Sequence, residues 1–371
     1  MRVLIFTSSA GTAHDAAAEA LEQWLARIDP SIEVTVESIL ENASGAGRAA
    51  VDLYNWIQRH APWLHQLYWR LCELEDLTKP GTVLAGRGHI RAVLERVRPD
   101  LLISTYPHTN RGHFTFARRV LRRLNQPVRC VICCTEVDGG FGFSRNWVSR
   151  QADRFWAITA EVAQEAQRRR TPASRIATLG PLLYPAYHQA EPAPLVLAGR
   201  PRLVLGTGGN GANNHVPLLE QLLPYGNALE VVALCGRRPE VRASIEAWAQ
   251  AHPQLRVQAL GFQGPEAMVA LYRTAWALVA RPGARTATEA LVLGCPLIFN
   301  GVGSTMPQEL LARRYFNSRG LETLIRRPAD LSAVVAGWLQ QPQRYQELRQ
   351  RMRLHRLRCT PALVMEDLLH G

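Results

Sequence analysis

Lysine is nearly absent from this chain. Of its 43 basic residues only Lys79 is a lysine, so the formal net charge of +12 rests on arginine. Charge of that kind suits nucleic acid, an anionic membrane face or phosphate ligands. No zinc-finger or RNA-recognition signature accompanies it, which places a membrane surface ahead of nucleic acid. Cysteine is sparse: seven residues, at 72, 130, 133, 134, 235, 295 and 359, are too scattered for a disulfide framework, and a reducing cytoplasm fits. Cys130-x-x-Cys133-Cys134 lies inside the apolar run 128–135, so core packing outweighs metal or redox work there. No apolar run approaches the roughly 18 to 20 residues of a membrane-spanning helix. The opening MRVLIF leads straight into a strand and a glycine loop, so the chain reads as neither spanning nor obviously exported. No Asp-x-Asp pair offers a metal site.

What is present is a globular composition, 47% hydrophobic and 20% charged, in a chain long enough for two domains with separate cores. Residues 2–8 read as a buried strand, followed by the loop Gly11-Thr12-Ala13-His14, a helix over 15–28 and a second strand over 33–38. This is the start of a doubly wound sheet, whose ligand crevice lies at the C-terminal ends of its strands. His14 stands at such an end, as a general base or as a cap of the helix. Residues 51–72 set Tyr54, Trp56, Trp63, Tyr68 and Trp69 among leucines, with Arg59 and Arg70 interspersed and Pro62 dividing two short helices. That mixture suits a membrane interface, or core beneath a long loop. Further strands fall at 99–107, 128–135 and 153–159, the middle one ending in Thr135-Glu136-Val137-Asp138; Arg118 to Arg123 reads as a solvated helix face.

Residues 188–200, with two prolines and no period, read as an interdomain linker. Beyond it a strand runs into Gly206-x-Gly208-x-x-Gly211 and a helix through Leu218, Leu219 and Leu222. That spacing is also the dinucleotide fingerprint. The next strand, 230–234, ends in Cys235-Gly236-Arg237-Arg238 and not in an acid, which disfavours NAD and leaves NADP open. In residues 280–300, ARPGARTATEALVLGCPLIFN, Thr286 reads as a helix cap, Gly294 as the helix end and 296–299 as a short buried strand. A helix N-terminus reached through a glycine loop gathers N–H groups and the positive end of the dipole, which suits a phosphate or diphosphate. Glu289, three residues after Thr286, either completes a capping box or accepts hydrogen bonds from sugar hydroxyls. Residues 345–370 read as one arginine-rich helix.

Pro282-Gly283, Thr286, Glu289-Ala290-Leu291, Gly294 and Pro296 resemble the donor-site motif of GT-B glycosyltransferases. The nearest group holds monogalactosyldiacylglycerol synthases, processive diacylglycerol glucosyltransferases and the N-acetylglucosaminyltransferase that makes lipid II. Other pieces are similar in turn: Gly11, His14, Ala16 and Ala17 to the family's Gly-rich histidine loop, Ser104-Thr105-Tyr106-Pro107 to its Ser-Thr-x-Pro turn, and Cys235-Gly236-Arg237 to the end of its second donor strand. Gly261-Phe262 and Pro307-Gln308-Glu309 complete the likeness, which covers nearly the whole chain and is strongest from Arg202 to Glu309. Departures are equally specific. Ala284-Arg285 replaces Gly-Leu, Thr12 and Ala13 replace two glycines, Glu136 replaces an aspartate, and no histidine precedes Trp147.

The resemblance implies an α/β GT-B fold of two Rossmann-like domains facing across a cleft: residues 1–187, a linker over 188–200, and 201–371 with a last helix crossing back. It implies an inverting transfer from a UDP-sugar to a lipid, with diacylglycerol foremost, by an enzyme working without a metal or other cofactor at the cytoplasmic membrane surface. His14, Glu136 or Asp138 would serve as base. Gly208, Gly209, Asn210, Arg237, Phe262, Gly283, Thr286, Glu289, Gln308 and Glu309 would bind the donor; Gly11, Trp56, Trp63, Trp69 and Trp147 would face the acceptor and membrane. The alternatives are an NADP-dependent oxidoreductase and a nucleotide- or lipid-binding sensor without turnover.

Overall fold

Each half of the chain builds a six-stranded parallel sheet, as the repeated alternation of apolar run, glycine loop and helix dictates. The computed structural model describes residues 1–60, 64, 67, 69, 70, 73, 86–206, 214–358 and 361–370. Contacts divide it into two units, Met1–Pro185 with Arg358–Gly371, and Ala186–Leu357. In unit 1 the strands are β1 (Arg2–Thr7), β2 (Glu33–Ser38), β3 (Leu101–Ser104), β4 (Arg129–Cys133), β5 (Arg154–Ala157) and β6 (Ile176–Thr178). Their order is β2-β1-β3-β4-β5-β6. All of β3 and all of β1 beyond Arg2 are buried, on both faces, as continuous apolar strands of a covered parallel sheet should be. Cys130, Cys133 and Cys134 are buried here, and burial pushes the Cys130 thiol up to about 12, which suits core and not redox chemistry.

Two expectations about the ends of helices change. The first helix, Thr12–Ile28, starts three residues before the apolar periodicity because Gly11 takes φ 89 and turns the chain directly into it. The tail is two helices, Pro342–Leu354 and Pro361–His370, since Pro361 cannot sit inside a helix but opens one readily. The second of them belongs to unit 1. Its Val364, Met365 and Leu368 join Val3, Ile5 and Leu21 in the core, and its Asp367 accepts from Arg154 and from the Trp156 indole.

Unit 2 comprises β7 (Arg202–Leu205), β8 (Glu230–Leu234), β9 (Arg256–Leu260), β10 (Ala277–Ala280), β11 (Leu297–Asn300) and β12 (Thr323–Ile325), ordered β12-β11-β10-β7-β8-β9. The order reverses between β7 and β10, and that switch point is where open parallel sheets bind ligands. Residues read as a linker are partly committed to this unit. Pro185–Gln189 is helical, the Ala193 N–H donates to Leu293 O at 2.7 Å, and the buried Arg349 guanidinium donates to Pro194 O. Of the helix face read as solvated, Arg119, Arg122 and Arg123 are exposed, and the partly exposed Arg118 pairs with Asp153 at 2.5 Å.

Candidate active site

At the switch point of unit 1, β1 and β3 lie side by side and the chain leaves them in opposite directions. His14 follows β1 and Thr105 follows β3. His14 Nδ1 lies 2.7 Å from Thr105 O, and a carbonyl can only accept, so Nδ1 carries the hydrogen and Nε2 is left as the acceptor. The ring packs edge-on to Tyr106, with centroids 4.9 Å apart, and 5.9 Å from the Trp147 ring. Burial pushes the imidazole down to about 4, so it is neutral at physiological pH. Thr135 Oγ1 is 3.4 Å from the same nitrogen.

Glu136, on the loop after β4, is pushed up to about 7 by burial, opposed by the hydrogen bond that the Trp147 indole gives it. Trp147 therefore touches both candidate bases, standing against the imidazole and bonded to the carboxylate. Trp147, expected on the acceptor side, is fully buried beside His14. The short 3-10 turn Arg145–Trp147 carries it, with Ser144 accepting from the Asn146 N–H and Asn110 Nδ2 donating to Asn146 O at 3.0 Å. Ser144 in turn donates to Glu73 at 2.5 Å. Asn110, Ser144 and Glu73 carry no motif that would have disclosed this support. Asp138 is buried, and its Oδ1 accepts the Gly139 N–H at 2.8 Å. Gly11 is set at the mouth of the loop by its positive φ.

Of the aromatic residues expected at a membrane, Trp56 is exposed on a helix beside an exposed leucine. Leu53 and Trp56 lie one turn apart on the helix Gly45–His60 and are 48% and 50% exposed. Trp69 packs edge-on to the exposed Phe141, with centroids 5.5 Å apart. Trp63 lies outside the described residues, as do Gly208, Gly209 and Asn210. Among the described residues no helix is long and apolar enough to cross a membrane, and no side-chain cluster could hold a metal ion.

In unit 2 the Gly206 N–H donates to Val279 O at 2.8 Å, which brings the start of the glycine loop beside the end of β10. From there Arg281-Pro282-Gly283 leads into the helix Ala284–Leu293. The reading of Thr286 as its cap is corrected: Gly283 is the cap residue, no side chain caps the first turn, and Thr286 lies within it. Arg281-Pro282-Gly283 is turn enough to start the helix three residues early. Nor does Glu289 close a capping box or point outward. It is buried, accepting from Tyr272 Oη at 2.9 Å and from Arg285 Nε at 2.8 Å. The i, i+4 spacing of Arg285 and Glu289 was the available signal for that pair. Gly294 ends the helix at φ 70, as read.

Glu309 is 1% exposed and spends its carboxylate inside the protein. Arg281 grips it with two hydrogen bonds, of 2.9 and 2.5 Å, and the Met306 N–H adds a third at 2.8 Å. Arg281 also donates to Val302 O and Ser304 O, so one guanidinium ties the loop after β11 to the end of β10. Gln308 precedes the helix Glu309–Asn317 as its cap residue, its Nε2 3.7 Å from Met306 Sδ. Beyond the ends of neighbouring β8 and β9, the Arg237 guanidinium lies 3.8 Å above the Phe262 ring, which is 57% exposed. A flat, cation-backed ring of this kind offers a stacking surface.

Comparison with known proteins agrees with this geometry. Residues 14–182 match the model of the monogalactosyldiacylglycerol (MGDG) synthase family. The processive diacylglycerol beta-glucosyltransferase of Bacillus pumilus is 23% identical over 291 residues, 76% of this chain and 72% of that protein. Its namesake in Bacillus subtilis is 21% identical over 379 residues, covering 99% and 94%. Among solved structures, Acinetobacter baumannii MurG superimposes with a TM-score of 0.61 at 14% identity, covering 99% of this chain and 98% of that one. HepE of Anabaena in complex with UDP-glucose gives 0.52 at 12% identity, covering 99% and 98%. The matched family model, the length of the shared sequence and the two parallel sheets together support a GT-B glycosyltransferase of the monogalactosyldiacylglycerol synthase family.

Proposed function

We propose that this glycosyltransferase moves a sugar from a UDP-sugar to the hydroxyl of diacylglycerol, with inversion at the anomeric carbon. The observation that carries the reading is the fixed tautomer of His14: with Nδ1–H given to Thr105 O, Nε2 is the one ring atom able to take a proton. In the step, the acceptor oxygen bonds to the anomeric carbon, its proton passes to the base, and the bond to the diphosphate oxygen breaks, releasing UDP. Glu136, with its pKa near the working pH, is the second candidate for that proton. The relatives' name supplies the acceptor class, and the neighbour solved with UDP-glucose supplies the donor class. In unit 2, the uncapped N-terminus of Ala284–Leu293 suits the diphosphate, and the Arg237–Phe262 pair suits the base of the nucleotide. Backbone N–H groups meet the leaving charge, so the mechanism needs no metal or other cofactor. Leu53 and Trp56 fit a peripheral hold on the cytoplasmic face of an anionic bilayer. The family makes the NADP-dependent oxidoreductase the disfavoured alternative.

Calorimetric titration of UDP, with NADP as control, tests the donor half; UDP-glucose with diacylglycerol in mixed vesicles tests the whole. We expect UDP binding, no NADP binding, and a lipid-linked sugar formed only with both substrates. Absence of UDP binding would sink the reading, and UDP binding without transfer to any lipid would leave a sensor.

A further inference from the structure

Unit 1 carries a second concavity, of about 810 Å³, that glycosyl transfer does not use. Eight of its sixteen lining residues are arginine and none is acidic. Three of the eight also build its wall. Arg111 donates to Val148 O at 3.1 Å and Arg145 O at 2.9 Å; Arg169 pairs with Glu165 at 2.6 Å; and Arg175 donates to Ala152 O at 3.1 Å. Three others, Arg119, Arg150 and Arg170, are exposed, and their side chains make no ion pair among the described residues. Arg170 sits at φ 71, in the left-handed region that favours glycine or asparagine, so the fold holds an arginine at a backbone position that does not favour one.

So many guanidinium groups around one small volume repel one another, and among the described residues the carboxylates that pair with them, Glu73 with Arg145 and Glu165 with Arg169, are fewer than the arginines. The volume is that of a small-molecule site, and one compact concavity is not the extended basic stripe that follows a nucleic-acid backbone. A single carboxylate would leave most of the charge unmet, whereas guanidinium forks match phosphate oxygens two at a time. We propose that this cavity is a binding site for a small anion bearing two or more phosphate charges. Either a phospholipid headgroup or a soluble phosphorylated compound supplies that chemistry. The inference does not depend on the glycosyl-transfer reading.

The test is titration of inorganic pyrophosphate into the full chain with UDP at saturation, so that a nucleotide site cannot take up the probe. In parallel, the protein is sedimented with phosphatidylcholine vesicles that do or do not contain cardiolipin, whose headgroup bears two phosphates. Each is repeated on Arg119→Gln/Arg150→Gln/Arg170→Asn, in which asparagine tolerates the left-handed backbone, and on Arg150→Glu alone as a lighter variant. We expect the triple variant to weaken binding of at least one probe by roughly tenfold or more, with UDP affinity unchanged. Loss confined to vesicles identifies a headgroup site, loss confined to pyrophosphate a soluble one, and loss of both a site open to either. Wild-type protein that binds neither probe, or variants that bind both as tightly as wild type, overturn the proposal.

Discussion

Glu136 in unit 1 and Glu309 in unit 2 are carboxylates withdrawn from water near the C-terminal edge of a parallel sheet, and their surroundings give them opposite uses. Glu309 has a guanidinium on both oxygens and a backbone N–H besides, so its charge is neutralised in place. Glu136 has, among the described residues, an indole N–H as its side-chain donor, and its pKa climbs to about 7. A buried carboxylate beside a cation holds structure; one beside a neutral donor exchanges protons near neutrality. The difference extends to the units. The candidate site of unit 1 presents groups with displaced titration, His14 and Glu136, while that of unit 2 presents an ion pair, helix ends and an exposed ring.

Removing one partner from unit 2 tests the structural side and should give the largest effect. Glu309→Ala leaves Arg281 without its counter-ion at the end of β10, and loss of one member of a buried pair costs about 3 to 5 kcal/mol. Denaturant unfolding should show that loss, whereas Glu136→Gln should leave stability near neutral pH almost unchanged. Equal destabilisation by the two substitutions would erase the contrast. Next in size is His14→Ala. General-base catalysis contributes roughly a hundred- to ten-thousandfold, so sugar transfer should fall by that much with UDP affinity and unfolding midpoint retained. A fall below tenfold would move the base to Glu136 or Asp138.

Much of the fold was legible from local sequence. The bounds of β2, β8 and β10 coincide with those read from the sequence, and the end of the helix at Gly294 was written in one residue. His14 was placed at a strand end because a strand, a glycine loop and a helix leave few alternatives. What escaped was non-local. Arg281 and Glu309 are 28 residues apart, Tyr272 and Glu289 17 apart, and nothing in either stretch announces the other. Trp147 was picked out by its resemblance to the family's acceptor-side tryptophan, and only the fold shows its ring turned inward against His14. The break before Pro361 was readable, but five arginines between 349 and 358 made one continuous basic helix the simpler pattern.

The pH dependence of transfer separates the two candidate bases. His14, at about 4, is already neutral above that pH and gives no inflection near neutrality. Glu136 as base gives kcat/KM an ascending limb at about 7, and Glu136→Gln abolishes it. Stability moves with opposite signs at the two positions. The pKa of Glu136 is raised in the fold, so its contribution is complete below about 4.5 and is lost as pH rises through about 7. The pKa of His14 is lowered, so its contribution is present above about 6.5 and is lost as pH falls through about 4. Thermal unfolding of Glu136→Gln against wild type should therefore favour the variant more at about pH 8 than at about pH 5. A difference independent of pH would mean that Glu136 does not titrate in that window.

The smallest effect concerns the Arg237–Phe262 pair, and its value lies in what it leaves alone. The ring is more than half exposed, so Phe262→Ala removes little buried area, and an exposed cation–π contact is worth about 0.5 to 1 kcal/mol. If the nucleotide base packs on this ring, the substitution also deletes a stacking surface, and UDP affinity should fall roughly five- to tenfold. The unfolding midpoint should barely move. Arg237→Gln keeps the ring but removes the cation beneath the base, and should cost roughly two- to fivefold. Unit 2 would then separate cleanly into a buried ion pair that sets stability and an exposed ring that sets affinity. UDP affinity indifferent to both substitutions would place the base elsewhere and return the Arg237–Phe262 contact to the surface of the fold.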